Sequence, residues 1–467
     1  MLKPISLFTL FIFSVFSSFS QTKLPLIFSD NMVLQQQQQV SIWGMDNAKA
    51  KITVTGSWGN NATVVADENG KWKLKLQTPV AGGSYSLTIK GSKEITFNNV
   101  LIGEVWFCSG QSNMQMTVNG NYNQPIIGSN EAILNSTNDN IRMFTHQKST
   151  SITPLYDMQG DWKSASPATT GNFSAVAYFF AKKLQGILGV PIGLIHASWG
   201  ASSVESWMDK ETLAEFKNIV IPDTVPKPTP QQSPTIMYNS LLHPYIGYTM
   251  KGVLWYQGES NVIDSTNYQA KFSAMIASWR KQWGQGDFPF YFVQIASHGY
   301  TKANAAYLRE AQTKTMQTVK NTGMAVTMDI GEEKVIHPSQ KEPVGVRLAY
   351  WALAKDYNVK GVTFSGPVYK AMRKTNNDRI VLSFDFAGMG LTSFGKPLTD
   401  FEIAGEDKVF YPANAIINNP ENNGGIVVWS DSVKNPVSVR YGFKSWVQGC
   451  LYNVQGLPAS SFRTDNW

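Results

Sequence analysis

Between Lys71 and Leu76 every second residue is apolar, with Trp72, Leu74 and Leu76 on one side and three lysines on the other, which is the period of a half-buried strand. Similar short runs fall at 40–43, 51–55, 62–66, 84–89 and 94–97, punctuated by the turn signals Asp67-Glu-Asn-Gly70 and Ala81-Gly-Gly83. These six strands, with no helical stretch among them, predict a small β-sandwich over residues 21–100. The glutamine run from Gln35 to Gln39 reads as a polar loop before the strand at 40–43.

After residue 100 the pattern changes. Strand-like segments at 104–108, 193–197, 252–256, 289–295 and 324–328 alternate with helical periodicity at 174–188, 268–283, 303–319 and 343–357. That alternation predicts an α/β domain over 101–374, a parallel sheet with helices on both faces. Ligands of such sheets sit beyond the carboxyl ends of the strands, so the loops there are where chemistry is expected. A proline-rich stretch at 221–234 can be neither helix nor central strand and reads as a surface loop or lid. Short strands at 379–384, 409–411, 425–429 and 437–441 predict a second β-rich module over 375–467.

A length of 467 residues agrees with several domains, at roughly 100–200 residues each. With 43% hydrophobic and only 16% charged residues, the chain is neither disordered nor a coiled coil. The net charge of +7 comes from scattered lysines and arginines, with no dense basic stripe, so nucleic acid is not an expected partner. Residues 1–20 form a leader: Lys3, an apolar stretch over 5–16, then Ser18 and Ser20 before Gln21. The stretch is short for a membrane span, so the protein is expected to be secreted or periplasmic, with no membrane span. Cys108 and Cys450 could form a disulfide in such a compartment, but large cores need no staple, and two separate thiols are the simpler expectation.

The most informative loop is Trp106-Phe-Cys-Ser-Gly-Gln-Ser-Asn-Met114. A serine just past a strand end is placed as a nucleophile would be, with turn N–H groups free to face an oxyanion, although such a turn can also be purely structural. Three further segments follow in order: Ser198-Trp-Gly-Ala-Ser202, Trp255-Tyr-Gln-Gly-Glu-Ser-Asn261 and His337-Pro338. Together with Phe28-Ser-Asp-Asn-Met-Val-Leu34 and Phe462-Arg-Thr-Asp-Asn-Trp467, they resemble the sialate O-acetylesterase family within the SGNH hydrolases, over nearly the whole chain after the leader.

The resemblance implies a flavodoxin-like three-layer core between β-sandwich-like modules. It implies a serine esterase that removes acetyl groups from carbohydrates, O-acetylated sialic acid foremost, with no metal or organic cofactor. Ser112 matches the nucleophile and His337 the base; Gly200 and Gln257 match the oxyanion donors, each worth about 3–4 kcal/mol. Gln111 and Asn113 are expected to contact substrate or to hold the turn through side-chain to backbone hydrogen bonds, and Trp199 is the aromatic expected in the pocket. The acid that orients the histidine three positions earlier in SGNH hydrolases is absent, since Lys334 stands there. Glu333 is the expected replacement, with Asp329, Glu332 or a bare Ser-His dyad as alternatives. Glu259 reads as a structural carboxylate, His196 as a hydrogen-bonded core residue, and Arg309 as an exposed helix-face residue. His146, His196, His243 and His298 show no metal-ligand spacing. Other readings remain open at this level: a different acetylated glycan such as xylan, or a sugar-binding protein on a degenerate hydrolase scaffold.

Overall fold

A computed structural model describes residues 21–375, 377–418 and 425–467. The leader read at 1–20 lies outside the described residues. The first strands are β1 Val33–Gln35, β2 Gln39–Met45, β3 Lys51–Gly56, β4 Asn61–Val65, β5 Lys71–Gln77 and β6 Gly82–Lys90. β2 pairs antiparallel with β5, while β4, β3 and β6 form a second antiparallel layer that continues into β7, Glu94–Gly110. Ile42 and Leu74 from one layer and Val54 and Leu87 from the other are buried in a common core.

β7 is one strand of 17 residues where the sequence pattern suggested two. Between the two predicted strands, at Asn98-Asn99, lies a bulge: Tyr85 opposes Val100 and Leu87 opposes Phe97, and Asn99 has a positive φ. Burial alternates along its first six residues and is complete over its last eleven. The first half has one face in the sandwich core, and the second half is covered on both faces.

That second half is the centre of a mainly parallel sheet. The remaining strands are β8 Asn138–Thr145, β9 Trp162–Ala165, β10 Ile192–Ser198, β11 Gly252–Tyr256, β12 Phe290–Val293 and β13 Thr322–Ala325. Their order is β13-β12-β11-β7-β10-β8-β9, parallel except for the edge strand β9. Val105 and Phe107 face a core shared with the helix Tyr268–Trp283 and with the sandwich. Trp106 and Cys108 face the other core, beside the helices Ala175–Leu188 and Lys341–Lys355. These two helices pack closely because Gly345 has no side chain; a Cβ there would lie 2.6 Å from the Val176 carbonyl oxygen. The chain leaves β10 on one side of β7 and returns as β11 on the other, so the loops after β7, β10 and β11 meet at a switch point.

The strands Val368–Lys374, Ile380–Asp385, Ile426–Trp429 and Asn414–Ile417 form an antiparallel sheet, so β pairing resumes before residue 375. A second sheet joins Phe410–Pro412, Phe401–Ala404, Ser438–Tyr441 and Phe462–Arg463. Ile380, Leu382, Ile403, Val428, Val439 and Tyr441 give this region its own core. Cys108 is buried and Cys450 half-buried, both as free thiols. No helix among the described residues is long and apolar enough to cross a membrane.

Arg309 is fully buried, contrary to its reading as an exposed residue. Its guanidinium donates to Ser461 Oγ and to the carbonyls of Gly442, Lys444 and Ser445, so it pins the C-terminal strands to the helix Ala306–Thr318. Arg309→Met would leave those carbonyls without their donor, and a loss of about 3 kcal/mol or more of unfolding free energy is expected in urea titration. A loss below about 1 kcal/mol would mean that the docking does not depend on this residue.

Candidate active site

At the end of β7 the chain has to turn sharply between two neighbouring strands. Gly110 allows it: its φ is +137°, and a Cβ there would collide with the Tyr256 carbonyl. The Gln111 N–H bonds to that same carbonyl, and the chain then forms the single helical turn Ser112–Gln115. This lifts Ser112, half-buried, above the sheet, and its N–H has no hydrogen-bond partner among the described residues. The Ser112 Oγ lies 2.7 Å from His337 Nε2, and His337 Nδ1 lies 2.7 Å from Gln124 Oε1. An amide oxygen can only accept, so Nδ1 carries the ring proton and Nε2 is left to accept from the serine hydroxyl. Burial, reinforced by Lys341 and His298, pushes the His337 pKa down to about 4. The imidazole is therefore neutral at pH 7, the form a general base requires.

The loop after β10 supplies the neighbouring backbone. A Cβ on Gly200 would sit 3.3 Å from Ser112 Cβ, so this peptide lies against the nucleophile. Its N–H donates to Gln115 Oε1 at 2.8 Å. Trp199 is half-buried beside it, and the Lys148 ammonium stands 5.0 Å from the centre of its indole. The loop after β11 lies deeper. Gln257 is fully buried, giving its amide hydrogens to the Ser202 carbonyl and Asn261 Oδ1 and accepting from the Tyr268 hydroxyl.

Residues 102–353 match the family described as carbohydrate esterase, sialic acid-specific acetylesterase. The chain belongs to that family. It is a carboxylic ester hydrolase acting on O-acetyl groups of carbohydrates. The rat sialate O-acetylesterase is 31% identical over 427 residues, covering 76% of this chain and 77% of that one. The human sialate O-acetylesterase is 32% identical over 380 residues, with 73% and 72% covered. A carbohydrate acetylesterase from Xanthomonas citri has a solved structure that superposes with a TM-score of 0.87 at 38% identity, over 96% of this chain and all of that one.

Within this acetylesterase the sequence motifs converge, but several side chains have other work. Glu333 is not the group that orients His337: its side chain is exposed, and its backbone carbonyl accepts from Gly299 N–H. Glu332 accepts from the Ser339 N–H and hydroxyl, and Asp329 pairs twice with Arg347, so neither is free for the imidazole. Gln257, matched to an oxyanion donor, has both amide hydrogens engaged in the interior, with the Ser202 carbonyl and Asn261 Oδ1. Gln111 Oε1 accepts from the Gly258 N–H, and Asn113 is wholly buried, so these two brace the site and do not face substrate. His196 bonds Ser198 Oγ at 2.6 Å inside β10, as a core residue would. Gln124 and Gln115 were missed. Gln124 sits in a tight turn in which it and Asn121 exchange backbone hydrogen bonds, and no motif in the sequence marks it.

Proposed function

We propose that this acetylesterase is an exported serine enzyme that deacetylates sialic acid, using a flavodoxin-like SGNH core between an N-terminal and a C-terminal β module. The observation that carries the catalytic reading is the chain of bonds from Ser112 Oγ through His337 to Gln124, beside an unpartnered Ser112 N–H. Ser112 Oγ attacks the acetyl carbonyl as His337 Nε2 takes its proton. The new oxyanion is held by the Ser112 N–H, and by the Gly200 N–H once the Gln115 carbonyl moves aside. Collapse of the tetrahedral intermediate returns the proton from Nε2 to the departing sugar oxygen and leaves acetyl-Ser112. Water, activated by the same imidazole, releases acetate. Every proton and charge is handled by protein groups, so these steps call on no cofactor.

The substrate reading rests on Lys148 and Trp199. An ammonium over an indole, with no ion pair among the described residues, suits a sugar ring that carries a carboxylate. Acetate release from O-acetylated sialic acid should therefore exceed that from acetylated xylan. Lys148→Ala should raise KM about tenfold for the acidic sugar alone, the loss of one exposed charge contact. A wild-type preference for neutral glycans would replace sialic acid with a neutral acetylated polysaccharide. Secretion is supported by the leader and is tested by following the mature N-terminus, expected at Gln21.

A further inference from the structure

We propose that Lys341, Asn113 and Glu259 form a buried positioning relay that locks the nucleophile turn to the base loop; it rests on the Ser112–His337 reading above. Lys341 and Asn113 are wholly buried and Glu259 almost so. The Lys341 ammonium donates to Asn113 Oδ1 at 2.5 Å. Asn113 Nδ2 donates to Glu259 Oε1 at 2.5 Å and to the Ile336 carbonyl at 3.0 Å. The two charges thus meet through a neutral amide rather than directly, and Glu259 Oε2 has no partner among the described residues.

A buried ion pair is weak evidence of stabilisation, because desolvation offsets much of the attraction, and one split by an amide gains still less. What the arrangement does supply is orientation. The ammonium fixes which end of the Asn113 amide is oxygen, and the carboxylate and the Ile336 carbonyl fix the other end. Asn113 follows Ser112 and Ile336 precedes His337, so the relay holds the neighbours of both reacting groups. Mere packing would not need polar atoms of these types at all three places.

The relay also carries charge. The groups facing His337 are Ser112, Gln124, His298 and Lys341; those facing Lys341 are Asn113, Glu259, Glu332 and the Tyr256 ring, 5.5 Å from its ammonium. Burial pushes Lys341 down to about 7, with Glu259 and Glu332 opposing, and burial raises Glu259. A like charge disfavours protonation of His337, so removing the Lys341 charge should raise the histidine's pKa.

The test is a pH profile of kcat/KM for wild type and Lys341→Gln, paired with NMR titration of the His337 ring in both. Lys341→Gln should lower kcat/KM about tenfold and move the acid limb up by about one pH unit, with the NMR midpoint moving equally. A fall in activity with limb and midpoint unmoved would overturn the relay in favour of a purely structural lysine. A moved midpoint with an unmoved limb would keep the coupling and instead overturn His337 as the base. Should the variant not fold, wild type alone decides: the His337 ring shifts should show a second inflection near pH 7 as Lys341 loses its proton. A single His337 transition at its ordinary value would overturn the proposal.

Discussion

Ser112→Ala is expected to lower kcat for acetate release by a factor on the order of 10⁵ to 10⁶, the scale at which removal of an activated serine leaves only binding and oxyanion stabilisation. The hydroxyl's only side-chain bond among those described is to His337 Nε2, so the substitution removes the nucleophile and leaves His337 with no hydroxyl proton to take, while the turn keeps its backbone bonds. Ser112 and His337 act as one unit. The double variant with His337→Ala should therefore be little slower than either single variant, since neither half works alone. A fluorophosphonate probe should label Ser112 in wild type and much more slowly in His337→Ala. Its half-buried position leaves room for the reagent, and the neutral imidazole supplies the activation. Release within tenfold of wild type from Ser112→Ala would mean that another group performs the attack. Loss of labelling with unchanged glycan affinity in wild type would restore the sugar-binding reading of the scaffold.

Where the fold was legible, the period of the sequence was simple. β5 has one buried face and shows strict alternation; β11 is buried on both faces and reads as a short apolar run. β8 was not legible, because its first residues, Asn138-Asp-Asn, are polar and largely exposed and only its second half enters the core. The helix Lys341–Lys355 begins two residues earlier than its pattern suggested, since its first residue is the lysine that the interior binds through Asn113.

The site was legible to the extent that chemistry is carried by rare residue types in fixed company. Ser112 and His337 were such residues, and the structure brings them into contact from positions far apart in the chain. Amide side chains were not. Gln111, Asn113, Gln257, Gln115 and Gln124 have the same polar groups in sequence, and only the fold decides which amide faces inward and which touches the imidazole. No sequence motif points to the group on His337 Nδ1 for the same reason: Gln124 arrives from a different loop and carries no charge.

Gln124→Ala should lower kcat about a hundredfold while the protein stays folded. Without an acceptor on Nδ1 the imidazole can rotate or adopt the wrong tautomer, and a fully mispositioned ring in a serine triad costs up to ~10⁴-fold; a neutral acceptor has less to lose than a carboxylate. Gln124→Glu separates orientation from charge. A carboxylate 2.7 Å from Nδ1 would keep the tautomer and favour the imidazolium, so the His337 pKa should rise from about 4, by one to three units. The sign follows from the active form being neutral: activity is lost as pH falls through the His337 pKa, so wild type should retain full kcat/KM down to about pH 5 and lose about tenfold per unit below 4. In Gln124→Glu that limb should move toward neutrality, while the rate on its plateau equals or exceeds that of wild type, because the charged intermediate is better stabilised. A kcat/KM profile from pH 3 to 9 for all three proteins tests this. An unchanged limb in Gln124→Glu would show that residue 124 does not act on the imidazole, and an undiminished rate in Gln124→Ala would leave Ser112 and His337 as a dyad.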